Sequence, residues 1–395
     1  MRGAVGDVLR GAVGDVSRGA VGDVLRGAGG EARLTMQGLI SSTMKIALVG
    51  LGSAARRIHI PAIRAVKRLQ LAGGCDVRTD AGKFDFPVYP SVEAMLDGCR
   101  PDVVAIVTPT ESHFALASQV ASRGIHVFCE KPFTSTVGEA RELLRIAKVH
   151  GVEIAVNNEF RFMACHLAAK ALIGTEKFGD LTFISMNQTF RTTGETEAGW
   201  RGADKERTNK DFGTHVFDLC RYFYGEEPLR LRALMPKPGA PDGPDLLNLI
   251  DLEFSADRYA RITLDRLTRG RHRYLDIRLD GTRANIETEL GGYAAITAGL
   301  HAATRRPYLD FDISLGGRAY LCTGERRIKI AADPLALFAA ATAKLLEAYV
   351  DALEQGKPPP CAGSDNIRTL ALMRAAYDSA ALKKEIDLAF LGALA

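Results

Sequence analysis

The stretch KIALVGLGSAARRIHIPAI (residues 45–63) decides the fold of the first half of the chain. It begins with a short apolar run, KIALVG (45–50), and continues through the pattern G-x-G-x-x-A into a helix-forming segment. Glycines at a strand-to-helix turn let the backbone approach a pyrophosphate, which the free N–H groups of the helix N-terminus can bind. A plain glycine-rich turn is the alternative. The pattern predicts a dinucleotide-binding turn made of Gly50, Gly52, Ser53, Ala54 and Ala55.

Further apolar runs follow this first strand at regular intervals. They are LQLAGGCD (69–76), DVVAIVTP (102–109), IHVFCEKP (125–132) and VEIAVNN (152–158). The segment at 134–151 has hydroxyl residues at its start, apolar residues on one side and Gly151 at its end, which is typical of an amphipathic helix. Apolar strands that alternate with helices indicate a doubly wound parallel sheet covered on both faces. We therefore predict an α/β Rossmann domain at residues 44–163.

Polar residues collect where these strands end, and ligands of such sheets bind beyond the carboxyl ends of the strands. Asp76 follows Gly50 by 26 residues, so its carboxylate can accept hydrogen bonds from the ribose hydroxyls of a bound dinucleotide. An aspartate at this place favours NAD, whereas Arg78, two residues later, could instead meet the 2′-phosphate of NADP. A solvated aspartate beside a plain turn is the alternative.

Lys131 lies at the mouth of a buried strand, in the tripeptide Glu130-Lys131-Pro132. Lysine normally seeks solvent, and the proline after it restricts Lys131 to extended backbone. An ammonium beside a nicotinamide could polarise a carbonyl or donate a proton to a forming alkoxide, and we expect partial burial to lower its pKa. The alternative is a lysine at the strand end that pairs with Glu130 at the surface.

The second half of the chain has a different pattern. Several runs alternate apolar and polar residues, which indicates a largely antiparallel sheet with one buried face. The predicted strands are 181–190, 229–235, 246–255, 259–267, 272–280, 282–290 and 326–331. Helices are expected at 164–173, 334–355 and 364–384. We therefore predict a second α/β domain at residues 164–395 with an open sheet, whose uncovered face is available for self-association as a homodimer or homotetramer.

The segment NKDFGTHVFDLCRYFYGE (209–226) lies between the first and second of these strands. Asp211, His215 and Asp218 stand at i, i+4 and i+7, so they share one face of a helix. A histidine with an aspartate one turn away is a plausible acid–base unit. The alternatives are a solvent-facing polar stripe or a buried structural His–Asp bond.

Together these segments resemble the glucose–fructose oxidoreductase / inositol dehydrogenase / MocA (Gfo/Idh/MocA) oxidoreductase family. The resemblance rests on five stretches and runs from Met44 nearly to the end of the chain. They are GLGSAARRIHIPAI (50–63), VTPTESHFALA (107–117), CEKPFTSTVGEARELLRIAKVHG (129–151), DFGTHVFDL (211–219) and the closing segment 350–380.

The resemblance implies hydride transfer between NAD or NADP and a hydroxyl or carbonyl carbon of a sugar, cyclitol or related polyol. It implies the catalytic set Lys131, Asp211 and His215, with His215 oriented by Asp211 and Lys131 stabilising an alkoxide. The residues implied to line the dinucleotide are Gly50, Gly52, Ser53, Ala54, Ala55, Asp76, Thr108, Pro109, His113, Glu130 and Lys131. An NAD-dependent glycosidase with transient redox chemistry and a non-catalytic dinucleotide-binding regulator stay open as alternatives.

Two features depart from the family pattern. Residues 205–210 read KERTNK where relatives usually carry a run of glycines, so the substrate-facing loop differs. Arginines are dense at 258, 261, 266, 269, 271, 273 and 278. They could contact a phosphorylated or nucleotide-linked substrate, but we expect solvated sheet positions and interface ion pairs.

Composition bounds the remaining possibilities. The chain has 395 residues, 47% hydrophobic and 25% charged, which is typical of a globular protein. Its net charge of +4 is mild and does not indicate nucleic-acid binding without a concentrated basic face. No apolar run approaches the length of a membrane span. Seven cysteines stand singly, so we expect no disulfide framework and a reduced, cytoplasmic compartment. The eight histidines show no metal-ligand spacing.

The first 43 residues form a separate segment. The octad R-G-A-V-G-D-V-[LS] occurs three times in succession, and its glycines and short apolar side chains offer little surface to bury. We expect residues 1–43 to be a disordered extension. Because Met44 directly precedes the first strand, Met44 is an alternative start of the native protein.

Overall fold

A computed structural model describes residues 43–77, 84–190, 204–269, 274–300 and 307–394, with the side chains of 292–300 and 307–315 left aside. The prediction made for the repeat, and those for Arg78, Arg271 and Arg273, therefore lie outside the described residues. Within this part of the chain, the structure has two sheets with helices packed against them.

The first sheet has six parallel strands in the order β3-β2-β1-β4-β5-β6. Their bounds are β1 Met44–Val49, β2 Leu69–Cys75, β3 Val88–Tyr89, β4 Val103–Ile106, β5 His126–Cys129 and β6 Ile154–Val156. The sequence predicts five of these strands. The first is shifted by one residue, and the other four are predicted longer than the structure has them. The parallel Rossmann-type sheet is thereby confirmed.

Helices connect these strands. They are α1 Ile60–Ala65, α2 Val92–Cys99, α3 His113–Ala121 and α4 Val137–His150. A π-helical turn, Ala55–His59, precedes α1. Helix α4 begins with a capping box, because the Thr136 hydroxyl accepts the Glu139 N–H at 3.1 Å while the Glu139 carboxylate accepts the Thr136 N–H at 3.1 Å. The helix therefore begins three residues later than its predicted start at residue 134.

The second sheet has nine strands in the order β14-β13-β12-β11-β7-β10-β9-β8-β15. Their bounds are β7 Leu181–Thr189, β8 Arg230–Leu234, β9 Leu247–Phe254, β10 Arg258–Asp265, β11 Leu275–Gly281, β12 Asn285–Leu300, β13 Pro307–Thr323, β14 Arg326–Ala332 and β15 Ile386–Asp387. Strands β7 and β10 pair in parallel, and the other neighbours pair antiparallel. This mixed sheet agrees with the predicted open, largely antiparallel one.

One long hairpin is missing from the prediction. Strand β12 continues ten residues beyond the predicted end at Leu290, and β13 is not predicted at all. The extension begins GGYAAITAGL (291–300), and glycine and alanine have low strand propensity and give little apolar alternation. Cross-strand pairing, which runs from Asn285–Cys322 to Leu300–Pro307, overrides that weak local preference.

Four further helices follow the first sheet along the chain. They are α5 Ala164–Leu172, α6 Thr214–Tyr224, α7 Leu337–Glu354 and α8 Gly363–Leu382. From α7, near the end of the chain, the Tyr349 hydroxyl donates to the carbonyl oxygens of Val127 (3.1 Å) and Glu153 (2.8 Å) in the first sheet. Just before α8, the Cys361 carbonyl accepts the Val156 N–H at 2.9 Å. Helix α7 and the segment before α8 therefore pack on the first sheet.

Within the described ranges, no helix is both long enough and apolar enough to cross a membrane.

Candidate active site

The turn after β1 brings the backbone of the first strand close to β4. Gly50 has φ +93°, and a Cβ at this position would stand 2.4 Å from the Val107 carbonyl oxygen. Its N–H donates to the Cys75 carbonyl at 2.8 Å. No side chain caps the helical segment that follows, and its Arg56 N–H donates to the Gly52 carbonyl at 3.1 Å, so an anion would meet only the backbone N–H groups that precede Arg56. This arrangement fits the pyrophosphate of a dinucleotide, which the sequence predicts for Gly50 to Ala55.

Asp76 lies directly after β2, beside this turn. Its Oδ2 accepts the Leu51 N–H at 2.7 Å, which fixes the carboxylate next to the glycines. Arg56 donates from Nε to the Leu51 carbonyl at 3.2 Å, and its guanidinium lies over the Phe84 ring at 4.4 Å. The predicted ribose-binding carboxylate is therefore at the expected edge of the sheet, with a cation stacked on an aromatic ring close by.

His113 connects the loops that follow β4 and β5. Its ring is fully buried, with Nδ1 2.8 Å from the Pro132 carbonyl and Nε2 2.9 Å from the Thr108 carbonyl. The Thr108 hydroxyl accepts from Ser112 at 2.7 Å. His113 thus connects the two loops through its buried ring. Of the predicted cofactor-binding residues in this region, Thr108 and Pro109 lie at the carboxyl edge of the sheet.

Glu130 is bound on both carboxylate oxygens. Its Oε1 lies 2.6 Å from His59 Nε2 and accepts from Asn157 Nδ2 at 2.8 Å, and its Oε2 accepts the Lys131 N–H at 3.1 Å. Burial favours the neutral acid, but His59, Asn157 and Lys131 lower the pKa of Glu130 to about 2. Glu130 therefore fixes the backbone of Lys131 against the helical segment of the dinucleotide turn.

Lys131 extends from β5 to the segment that precedes α6. Its Nζ donates to Asp211 Oδ1 at 3.2 Å and to the Asp211 carbonyl at 3.1 Å. Burial favours the neutral amine, but the carboxylates of Asp211, Glu130 and Glu159 raise the pKa of Lys131 above its ordinary value. The expectation that burial lowers this pKa is wrong, because three carboxylates outweigh the loss of solvent. Lys131 is an ammonium throughout the neutral range.

Arg266, at the end of β10, holds the other oxygen of Asp211. Its Nη2 lies 2.5 Å from Asp211 Oδ2, and the guanidinium lies over the rings of Phe212 (4.3 Å) and Phe190 (5.4 Å). The sequence pattern predicts solvated or interface positions for the arginines of this region. That is wrong for Arg266, which is buried. Three others do form surface ion pairs, namely Arg258 with Glu226, Arg261 with Asp251 and Arg278 with Asp280.

The two cations keep Asp211 ionised. Partial burial opposes ionisation, but Lys131 and Arg266 hold the pKa of Asp211 well below its ordinary value. Among the residues that the structure describes, no hydrogen bond joins Asp211 to His215. The two carboxylate oxygens of Asp211 are bound instead by Lys131 and Arg266.

His215 is held by aromatic packing instead. Its ring stacks on Phe160, with centroids 3.9 Å apart and planes 12° apart, and the residue is only 3% exposed. Burial and the Lys131 ammonium lower the pKa of His215 well below its ordinary value, against the opposing charges of Asp211 and Glu130. The imidazole is therefore neutral at pH 7 and able to accept a proton.

Glu159 is a site residue that the sequence analysis missed. It is 5% exposed, and Oε2 has no hydrogen-bond partner among the described residues. Burial and the negative charge of Glu130 raise the pKa of Glu159 to about 8, although Lys131 opposes this. Glu159 lies three residues after the end of β6, close to the carboxyl edge of the sheet, and this position is the sequence signal that could have identified it.

Asp218 belongs to a buried ionic network behind the site. Arg161 binds it side-on, from Nε and Nη2 at 2.6 Å each, and Asn158 donates to Oδ1 at 2.9 Å. Arg161 also donates to Asp365 at 3.0 Å. Asp218 therefore anchors α6 to the segment after β6.

The segment 205–210 is held by a remote carboxylate. Asp245 is buried and accepts the N–H groups of three consecutive residues, Arg207 (2.5 Å), Thr208 (3.0 Å) and Asn209 (2.9 Å), at the start of the π-helical turn Asn209–Gly213. Lys210 then pairs with Asp204 (2.9 Å) and with Glu111 (3.1 Å), which follows β4. The segment that departs from the family pattern thus contacts both halves of the chain.

Two family models match most of the described chain. Residues 44–158 match the oxidoreductase family GFO_IDH_MocA with its NAD-binding Rossmann fold, and residues 166–287 match the C-terminal domain of the same family. The chain belongs to the GFO/IDH/MocA oxidoreductase family. The resemblance, the enzyme class and the NAD-type cofactor inferred from the sequence are thereby confirmed.

Curated relatives are distant but span the chain. A D-apiose dehydrogenase from Paraburkholderia graminis is 26% identical over 88% of this chain and 91% of that protein. An inositol 2-dehydrogenase from Rhizobium meliloti is 24% identical over 88% of this chain and the whole of that protein. A solved oxidoreductase from Agrobacterium radiobacter, in complex with NAD+, L-tartaric acid and magnesium, aligns with TM-score 0.73 and 22% identity over 89% of this chain and 100% of that one. The last similarity shows the fold alone.

Among the described residues, no three His, Cys, Asp or Glu side chains cluster as a metal site would require.

Proposed function

We propose that this family member oxidises a hydroxyl-bearing carbon of a sugar, cyclitol or related polyol, or reduces the corresponding carbonyl, with NAD or NADP. The observation that carries the proposal is the contact between Lys131, after β5, and Asp211, 80 residues later, with His215 one helical turn beyond. A cation, a fixed carboxylate and a neutral imidazole stand at the edge of the sheet where the dinucleotide turn lies.

The bound nicotinamide supplies the hydride acceptor or donor. Neutral His215 takes the proton of the substrate hydroxyl in the direction of oxidation and returns it in the direction of reduction. Lys131 keeps its proton because of its raised pKa, so it stabilises the developing alkoxide as a charge and hydrogen-bond donor. Asp211 holds the Lys131 ammonium in place, a role that replaces the implied orientation of His215.

We further propose that NAD is the preferred cofactor. The Asp76 carboxylate is fixed beside the glycine turn by its bond to the Leu51 N–H. A carboxylate at this place accepts hydrogen bonds from the ribose hydroxyls of NAD and repels the 2′-phosphate of NADP.

Titration with NADH and NADPH, followed by nucleotide fluorescence, tests cofactor binding first. Hydride exchange is then followed at 340 nm with scyllo-inositol, myo-inositol, D-apiose, aldoses and sugar nucleotides. Net NADH formation with one of these compounds supports the dehydrogenase. Turnover of a glycoside without a net change at 340 nm would favour the NAD-dependent glycosidase instead. Tight NADH binding without turnover on the whole panel would favour a regulator.

Compartment and assembly are also proposals. All seven cysteines are unpaired, and six of them are buried, which supports a reducing cytoplasm. Along β7, β9 and β11, buried residues alternate with residues that are partly or fully exposed, so one face of the nine-stranded sheet is left partly exposed. This supports a homodimer or homotetramer through that face. A monomer at high concentration in gel filtration would contradict the assembly.

A further inference from the structure

The carboxylate of Asp211 has two cationic partners from opposite sides of the site. Lys131 comes from the first sheet and binds Oδ1 at 3.2 Å, and Arg266 comes from the second sheet and binds Oδ2 at 2.5 Å. Lys131 belongs to the proposed chemistry. Arg266 is not among the residues implied by the family resemblance, and nothing in the sequence pattern distinguishes it from its surface neighbours.

The surroundings of Arg266 fix its guanidinium firmly. The residue is 5% exposed, its guanidinium lies over the Phe212 and Phe190 rings, and its backbone N–H donates to the Leu246 carbonyl at 2.8 Å. Because Phe212 is the residue after Asp211, the same turn supplies both the anion and an aromatic face for the cation. A planar guanidinium suits this combination of carboxylate and ring faces better than an ammonium does.

We infer that Arg266 is a positioning residue, which acts through Asp211: it keeps that carboxylate ionised and directed at Lys131, so that the ammonium is presented to the substrate oxygen. The inference explains why Asp211 does not reach His215, since the carboxylate oxygen that is not bound by Lys131 is bound by Arg266. The working pair is then Asp211 with Lys131, and His215 acts as a base without a carboxylate partner.

The charged and titratable groups around Asp211 and Arg266 determine how far the pKa of Asp211 should change when Arg266 is replaced. Lys131 and Arg266 face the Asp211 carboxylate directly, and His215 lies one helical turn away. Arg207 and Tyr274 also act on Arg266. An adjacent cation lowers the pKa of a carboxylate by about one to three units. Removing the positive charge at position 266 therefore raises the pKa of Asp211 by about that amount, while Lys131 still opposes protonation.

The first test measures the carboxylate itself and needs no substrate. In protein labelled with [γ-13C]aspartate, the Asp211 resonance is identified by its loss in D211N and followed from pH 9 down to the onset of acid unfolding. We expect the wild-type resonance to keep its ionised chemical shift down to that onset, and the resonances of R266Q and R266M to begin titrating at a pH about one to three units higher than in the wild type. R266K, which keeps the charge, is expected to titrate like the wild type. R266M keeps an unbranched stem on the phenyl rings, so it serves if R266Q does not fold.

The matched control is R261Q. Arg261 lies in β10, the strand that Arg266 follows, and binds Asp251 at 2.7 Å, but it is exposed, so its loss should leave the titration of Asp211 unchanged. An Asp211 resonance with the same pH dependence as the wild type in folded R266Q or R266M would overturn the inference.

The second test rests on the proposed function. With a compound that the wild type oxidises, kcat of R266Q should fall on the acid side at a higher pH than that of the wild type, and R266K should restore the wild-type profile. Equal pH profiles would again overturn the inference. Absence of wild-type turnover on the whole panel would contradict the proposed function alone, because the carboxylate titration would still stand.

Discussion

The imidazole of His215 lies flat against the ring of Phe160, with their centroids 3.9 Å apart. The ring that we propose as the base is therefore held by an aromatic face, and its Nδ1 is buried without a hydrogen-bond partner among the described residues. Such an environment favours the neutral imidazole, which is the form that can accept a proton.

Replacing His215 should remove this base. H215Q is expected to lower kcat for substrate oxidation by about 100-fold or more, which is the usual contribution of general-base catalysis. Because the pKa of His215 lies well below its ordinary value, kcat of the wild type should show no loss from His215 protonation between about pH 6 and pH 8. A pH–rate profile checks both statements, and an acid limb centred near pH 6.5 that disappears in H215Q would contradict the neutral assignment.

Loss of the Lys131 ammonium should affect turnover much more than cofactor binding. K131A is expected to lower kcat by about 100- to 1,000-fold, as removal of one oxyanion-stabilising donor does. The Kd for NADH should stay within about twofold, because Lys131 binds Asp211 and not the glycine turn. K148A, on the exposed side of α4, is the matched control. Unchanged turnover in K131A would remove Lys131 from the proposed chemistry.

The carboxylate of Asp76 should set the choice of dinucleotide. D76S removes a charged acceptor, so NADH binding should weaken by about 10- to 100-fold while NADPH binding weakens less or improves. Fluorescence titration with the two nucleotides gives the ratio directly. D97S changes an exposed aspartate of α2 that pairs with Arg123, and should leave the ratio as it is. Equal weakening of NADH and NADPH binding would show that Asp76 stabilises the glycine turn and does not select between the two nucleotides.

The protonated carboxyl of Glu159 should make stability depend on pH. Its pKa is about 8 in the folded chain and about 4.3 in an unfolded one, so between these values the folded state holds a proton that the unfolded state releases. Stability from this group therefore falls as pH rises from about 4 to about 8. E159Q should raise Tm more at pH 8 than at pH 5.

E176Q serves as the control for that comparison, because Glu176 has a 95% exposed side chain. An equal change of Tm in E159Q at both pH values would show that Glu159 ionises normally.

Asp245 should stabilise the segment 205–210 through three backbone donors at once. D245A would leave the buried N–H groups of Arg207, Thr208 and Asn209 without their acceptor, at a cost of about 1–3 kcal/mol or more in the free energy of unfolding. D251A, at an exposed position of β9, should cost well under 1 kcal/mol. Chemical denaturation compares the two. Similar small losses in both variants would show that the segment finds other acceptors.

Much of the fold follows from local pattern. The first sheet could be predicted because its strands are apolar runs bounded by glycine, proline and charge. The sequence also singled out Lys131 and Asp211, which the structure brings into contact. The hairpin of β12 and β13 could not be predicted, because its glycine- and alanine-rich start has no strand pattern of its own.

The contacts that control charge at the site could not be predicted either. Arg266 lies 55 residues from Asp211, and Glu130 lies 71 residues from His59. Partners so far apart in sequence form no short motif that could be detected, and the sequence does not distinguish a buried arginine from an exposed one. The predicted lowering of the Lys131 pKa was wrong for the same reason, since this pKa depends on three carboxylates that come together only in the folded chain.

The two hydrogen bonds of Tyr349 to the carbonyls of Val127 and Glu153 have a consequence for biosynthesis. A ribosome makes the whole first sheet some two hundred residues before it makes this helix. The apolar surface of the first sheet that α7 covers therefore stays exposed until nearly the entire polypeptide has been synthesised. Fragments that stop short of Leu337 should therefore be substrates for chaperones, however complete their nucleotide motif is.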